Sequence, residues 1–352
     1  MTVDGDRRRS VSARASGVVA VDRDRRRTVS ALAAGAVAAS PLARATEVFL
    51  PGPPPGPASA PSRPVVAVAR RPGLLGQRSA FDPGRLADGL GAALSRATGE
   101  TSPVDGLRRL FKPTDVVGIK VNTLGGVGVS ARPEVALKLA NWLQAAGVSA
   151  DRILIWDRSD RELRAAGYEI GTKHGVRVEG TNEDWDRNLT EWGPSASRFA
   201  RVMVDELTAV ISLGRLKDHG LAGVTLSLKN WYGVVHNPNK LHADSCAPYV
   251  PHLVAHPLIH DRLRLSVVDG SEGQCHGGPG HAPNWAWPYD GFLASTDPVA
   301  LDAVGWRILD ERRKEVGLKP VKDEDREPRY IAGAARLGLG VDDPARIEVV
   351  DV

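Results

Sequence analysis

The densest concentration of reactive side chains in this chain of 352 residues is the stretch LKNWYGVVHNPNKLH, residues 228–242. It puts Lys229, Lys240, His236, His242, Trp231, Tyr232 and three asparagines within fifteen positions. Ammonium groups hold carboxylates, enolates or phosphates, and a lysine crowded by other cations loses proton affinity and becomes a base or nucleophile. Histidine titrates near neutrality and moves protons. Eight of the nine histidines and both cysteines, Cys246 and Cys275, fall between positions 219 and 281. His252, His256 and His260 are four apart, but Pro257 interrupts the helix that would align them, so they are read as structural or exposed. His242, Cys246, Cys275 and His276 lie in Gly/Asn/Pro-rich loops and are the candidate metal ligands, since imidazole and thiolate suit zinc, nickel, copper or iron. No Cys-x-x-Cys, His-Glu-x-x-His or ferredoxin-type spacing accompanies them, so the cofactor stays open between a transition metal and none.

These side chains need a scaffold, and the chain alternates short β-branched runs with helical patterns. Strand-like runs are VVAVA (65–69), VVGIKVN (116–122), ILIW (153–156), AVISL (209–213) and LRLSVVD (263–269). Between them lie amphipathic segments such as PEVALKLANWLQAAG (133–147), stopping on Gly147, and a long helix opens with Asp297 as cap and Pro298 in its first turn. This alternation predicts an α/β fold with a mostly parallel or mixed sheet flanked by helices, as one large or two-lobed domain over 65–352. Ligands of open α/β sheets gather outside the carboxyl ends of the strands. The second strand ends in Lys120 and Asn122, and the third in Asp157, Arg158 and Asp160. The fourth runs into Arg215, Lys217, Asp218 and His219, and the fifth ends in Asp269. The glycine-rich runs LGGVG (124–128) and GGPGH, the latter with Gly277 and Gly278, are placed to bring backbone N–H groups to an anion. Residues 221–236 fit a strand and a helix equally, and in both Thr225 and Lys229 share a face.

Charge excludes some partners. Residues 1–45 hold nine Arg and four Asp, a surplus of five, against +4 for the whole chain, so the remainder carries −1. The basic character belongs to the leader, and a nucleic-acid partner is not expected. No apolar run reaches membrane-spanning length, so an integral membrane protein is not expected either. The leader has Arg25, Arg26 and Arg27 before a weakly apolar Ala/Gly run and ends in Ala43-Arg44-Ala45. That is the layout of a twin-arginine-like signal peptide (1–45), followed by a Pro-rich linker (46–64), and it predicts an exported protein in the periplasm, cell envelope or medium.

The blocks VGIKVNT, PEVALKLANWLQAAGV, ILIWDRSDRELRAAGY, LKDHGLAGVTLSLKNWYGVV, LRLSVVDG, GGPG and STDPVALDAVGW, in this order over about 65–305, resemble the family catalogued as domain of unknown function 362. The resemblance implies an α/β domain, sometimes exported and sometimes fused to a ferredoxin-like iron–sulfur module. No cysteine-rich module follows residue 305, so an iron–sulfur cluster is not expected within this chain alone. On the matching blocks the resemblance marks Lys120, Asn122, Asp157, Lys217, His219, Lys229 and Asn230 as site positions.

Two functional readings follow. In the first the protein is an enzyme acting on an anionic or carbonyl-bearing small molecule by Lys/His acid–base chemistry. Lys217, His219, Lys229, His236, Asp157 and Asp269 are then the catalytic set, and Lys120, Asn122, Arg215, Asn230, Tyr232, Gly277 and Gly278 bind substrate. A bound metal would shift that chemistry towards redox or Lewis-acid catalysis. In the second the same cleft belongs to an exported ligand- or metal-binding module without turnover. Proton-transfer groups at the strand ends favour the enzyme.

Overall fold

A computed structural model describes residues 63–173 and 175–352. The signal peptide expected at 1–45 and nearly all of the linker expected at 46–64 lie outside the described residues. Strands run as β1 (Val65–Arg70), β2 (Val117–Val121), β3 (Ile153–Asp157), β4 (Gly171–Lys173), β5 (Val176–Gly180), β6 (Thr190–Trp192) and β7 (Ser195–Ser197). They continue as β8 (Ala209–His219), β9 (Gly223–Thr225), β10 (Leu263–Gln274), β11 (Ala286–Trp287), β12 (Gly291–Ser295) and β13 (Glu348–Asp351). The helices are α1 (Pro83–Thr98), α2 (Pro103–Leu110), α3 (Pro133–Ala145), α4 (Asp160–Ala165), α5 (Arg201–Asp205), α6 (Val250–Ala255), α7 (Pro257–His260), α8 (Pro298–Glu315) and α9 (Arg329–Arg336).

One sheet carries the order β13-β1-β12-β10-β8-β2-β3-β5-β4, with β9 and β11 folded back on β8 and β10. From β10 across β8, β2 and β3 to β5 all neighbours are parallel, whereas β12 runs antiparallel to both β10 and β1. The α/β mixed sheet expected from the alternating pattern is therefore present, and the carboxyl ends of β3, β2, β8 and β10 lie side by side on one edge. Their polar termini meet for that reason.

Side chains alternate across a strand, so each strand serves two cores. Val117, Ile119 and Val121 of β2, with Ile211 and Leu213 of β8 and Leu265 and Val267 of β10, face Leu94 of α1, Leu107 of α2 and Leu139 of α3. The other face carries Trp156, Val210, Leu216 and Val268, packed with Leu226, Leu228, Trp231 and the α8 residues Leu301 and Leu309. Lys120, between Ile119 and Val121, belongs by parity to this second face. The helix signals hold: Asp297 accepts hydrogen bonds from the Val299 and Ala300 amides, and Gly147 turns the chain after α3 at φ +108°.

Two expectations are corrected. Strand β8 runs to His219 and β10 to Gln274, well past the runs 209–213 and 263–269, because β9 and β11 pair with what looked like loops. The ambiguous segment 221–236 is both elements in turn, a short strand (β9) and then a 3₁₀-helix over Lys229–Val234. Small residues on β8 permit this crossing. A Cβ on Gly214 would sit 2.7 Å from the Leu226 carbonyl oxygen, and Ser212 Oγ donates to the Ser227 carbonyl at 3.1 Å. Among the described residues no helix is long and apolar enough to cross a membrane.

Candidate functional site

Crossing so low over the sheet, the 3₁₀-helix brings Asn230 onto β2. Its Nδ2 donates to the Lys120 carbonyl (2.9 Å) and to Ser212 Oγ (3.1 Å), while its Oδ1 accepts from Lys120 Nζ (3.2 Å). Lys120 Nζ also pairs with Asp157 Oδ1 at 2.6 Å and donates to the Val121 carbonyl at 2.7 Å. The other Asp157 oxygen accepts from the Thr123 amide (2.8 Å) and hydroxyl (2.6 Å). Burial pushes the Asp157 carboxyl up, but the Lys120 ammonium and the Thr123 and Arg158 donors outweigh it and hold the group below the usual carboxylate range. A buried pair satisfied on both sides is a fixed floor, not a mobile acid. Gly233 completes it, since a Cβ there would lie 2.6 Å from both Lys120 Nζ and Asp157 Oδ1.

Above this floor is a cavity of about 580 Å³, lined among others by Asn122, Lys217, His219, Thr225, Lys229, Tyr232 and His242. Lys217 lies opposite Thr225 in the β8–β9 pairing, and its Nζ donates to the Leu124 carbonyl (2.9 Å) and the Pro279 carbonyl (3.4 Å). It thereby ties two glycine-rich loops to the strand end. Burial first, then the charges of Arg215 and Lys229, lower its pKa to about 7. Lys229 Nζ stands 3.2 Å from His242 Nε2 and 4.3 Å above the Tyr232 ring, and burial lowers its pKa to about 8. The cavity's own carboxylates are engaged elsewhere, Asp157 by Lys120 and Glu162 by Arg158. Neither Lys217 nor Lys229 has a carboxylate partner among the described residues.

His219 is held in one tautomer. Its Nδ1 accepts from the Leu221 (3.1 Å) and Ala222 (3.2 Å) amides, which leaves Nε2 carrying the hydrogen. Burial, reinforced by Lys229, His242 and Lys217, drives its pKa down to about 2, so the ring is a neutral donor and not a carrier of protons. It stacks on His242 with centroids 5.5 Å apart. Burial and Lys229 likewise lower the pKa of His242. Two buried polar atoms of lining residues, Asn122 Oδ1 and Thr225 Oγ1, have no hydrogen-bond partner among the described residues.

The sequence profile of the family described as Domain of unknown function (DUF362) matches residues 117–307, more than half of the chain. The chain belongs to this family. The matched DUF362 segment contains every cavity residue named above. A crystal structure of a Thermotoga maritima protein shares 11% identity and a TM-score of 0.34 over 47% of this chain and 49% of that one, so the chain spans about half of that protein's length. No curated protein matches.

Within the DUF362 domain, Lys120, Asn122, Asp157, Lys217, His219, Lys229, Asn230 and Tyr232 all line the cavity, as does His242. Five other expected positions do not. Asp269 shares the β10 face of Leu265 and Val267, under α3, where its carboxylate pairs with Arg215 Nη1 at 3.0 Å and accepts from the Arg132 (3.0 Å) and Ser271 (2.9 Å) amides. Arg215 is held there too, donating to Gly128 O at 3.3 Å, so the pair braces the 124–128 loop from beneath and acts on the cavity through its charge on Lys217. His236 is exposed and meets the edge of Trp185 at 5.5 Å. The Gly278 amide already donates to Asp218 Oδ1 at 2.7 Å, and Gly277 lies outside the lining, so neither offers an anion nest.

The expected metal ligands part company. Cys246 is buried beside Tyr232 and Lys229, whereas Cys275 donates to the Trp285 carbonyl and His276 sits among Arg313 and Trp285. Both thiols are free and burial pushes both upwards. Among the described residues no three His, Cys, Asp or Glu gather as ligands, and two separated thiols do not fit a four-thiolate iron–sulfur cluster. The sequence reading did not name Thr225, Leu124, Leu221, Thr123 or Gly233 as site residues. Of these, Thr225 carried a signal in its shared face with Lys229, and Leu124 in its place in the LGGVG run.

Proposed function

We propose that this cavity is the active site of an enzyme that binds a small organic anion bearing a carbonyl group and transfers a proton at the carbon beside that carbonyl. The observation that carries the proposal is the pair of buried lysines, Lys217 and Lys229, in one cavity with no carboxylate ion-paired to either among the described residues. Lys229, over the Tyr232 ring, keeps the firmer hold on its proton and anchors the anion. Lys217, half deprotonated near pH 7, has two carbonyl acceptors for its hydrogens. A neutral amine held in that way keeps its lone pair for substrate, as a base must. The substrate C–H proton passes to Lys217 Nζ, the C–H electron pair becomes the new carbon–carbon double bond, and the carbonyl π pair moves onto oxygen, giving an enolate. That oxygen accepts from His219 Nε2–H, with Lys229 countering its charge. Asn122 Oδ1 and Thr225 Oγ1 remain for the other polar groups of the ligand.

Titration calorimetry of the full chain against 2-oxo acids tests the binding half. Lys229→Met is expected to weaken binding at least about tenfold, the scale of one lost charge-assisted contact. Affinity indifferent to Lys229 would remove it as the anchor. The Arg25–Arg27 leader supports export by the twin-arginine route. Replacing all three arginines by lysine should retain the chain inside the cell, and undiminished export would end that reading.

A further inference from the structure

The cavity changes character from floor to mouth. Lys217, His219, Thr225 and Lys229 are each at most 6% exposed. Two leucines in the same lining, Leu124 and Leu221, are 48% and 57% exposed. They come from different loops, yet each is bonded through its backbone to a reactive group: the Leu124 carbonyl accepts from Lys217 Nζ at 2.9 Å, and the Leu221 amide donates to His219 Nδ1 at 3.1 Å. The apolar rim is therefore held at a fixed place beside the ionic floor. Pro238 and Pro279 add further apolar wall. Inorganic phosphate or a two-carbon acid would fill little of about 580 Å³ and would leave both leucines in water.

Resting on the anion-binding reading above, we infer that the substrate class is amphiphilic: a carboxylate whose polar end reaches Lys217 and Lys229 and whose aliphatic tail leaves between Leu124 and Leu221. The leucines then lose solvent contact on binding, and the tail sets affinity while the lysines set orientation.

The test is calorimetric titration of the full chain with straight-chain 2-oxo acids from three to ten carbons, all below their micellar concentrations, with inorganic phosphate as a competitor. Affinity should climb up to about fourfold per added methylene until the tail clears the rim, the ratio corresponding to one buried CH₂. In Leu124→Ser/Leu221→Ser that slope should fall by at least about half, with an unchanged circular dichroism spectrum confirming the fold. A flat series, an unchanged slope in the double variant, or phosphate weakening the shortest acid but not the longest would overturn the amphiphile and leave the anion site standing. Failure of every acid to bind would overturn both.

Discussion

Lys217→Met should make the protein more stable near neutral pH and less stable in base. An unfolded lysine titrates near 10.5, whereas burial and the neighbouring Arg215 and Lys229 charges bring Lys217 to about 7 in the native chain. Between these values the unfolded chain binds a proton that the native chain does not, so this residue makes stability rise with pH. The slope is about 1.4 kcal/mol per pH unit, and the interval amounts to about 5 kcal/mol. Methionine has no such term. The variant forfeits the hydrogen bonds to the Leu124 and Pro279 carbonyls, about 1 kcal/mol each. It should therefore exceed the native sequence by about 3 kcal/mol at pH 7, match it near pH 9 and fall about 2 kcal/mol short at pH 10.5. Guanidinium unfolding of both proteins across this range, at constant ionic strength, measures the difference, in which titrations common to both cancel. Parallel stability curves would show that Lys217 titrates normally, and its assignment as base would fail with them.

Other expectations concern the floor and its supports. Gly233→Ala should unfold at markedly lower temperature, because its Cβ meets the Lys120–Asp157 pair at 2.6 Å, while Gly280→Ala, with nothing within 4 Å, should be silent; equal melting temperatures would contradict the packing. Asp157→Asn leaves the Lys120 ammonium buried without a counter-charge and should cost about 3–5 kcal/mol in denaturant unfolding, a loss below about 1 kcal/mol placing the pair in solvent. Asp302 is fully buried, accepts among the described residues only from the Ser227 and Leu228 amides, and is raised by burial to about 8. Its native pKa lies above the unfolded 3.8, so its contribution is present below pH 4 and lost as pH rises to about 8. Asp302→Asn should gain on the native sequence across that window, and a pH-independent difference would mean the carboxyl is not desolvated.

Much of this site could be read in the sequence because a charged residue inside an apolar strand run has few places to go. Lys120 sits in the apolar run of β2 between Ile119 and Val121, and the fold class put Asp157 and Lys217 at the ends of the two strands that flank β2. Face assignment was harder. Asp269 and Arg215 also sit near strand ends, but they pair with each other and with the Arg132 amide at the start of α3, contacts that strand position alone does not reveal. The lengths of β8 and β10 were hidden because their pairing partners β9 and β11 are only three and two residues long. His219 looked like a proton carrier until the turn amides of Leu221 and Ala222 were found on its Nδ1, a contact no spacing rule encodes. Proximity in sequence also misled for the cysteines, since His242–Cys246 and Cys275–His276 occupy different neighbourhoods of the fold.

The most direct test of the central claim is deuterium incorporation. The full chain is mixed with a 2-oxo acid that it binds, in deuterated buffer near pD 7.5, and the signal of the hydrogens beside the carbonyl is followed by proton NMR. Base catalysis by Lys217 predicts that this signal decays far faster than in buffer alone, that Lys217→Met abolishes the excess while still binding the acid, and that Lys229→Met restores part of it at high acid concentration. Tight binding with exchange no faster than in buffer would contradict the enzyme and leave a receptor in its place.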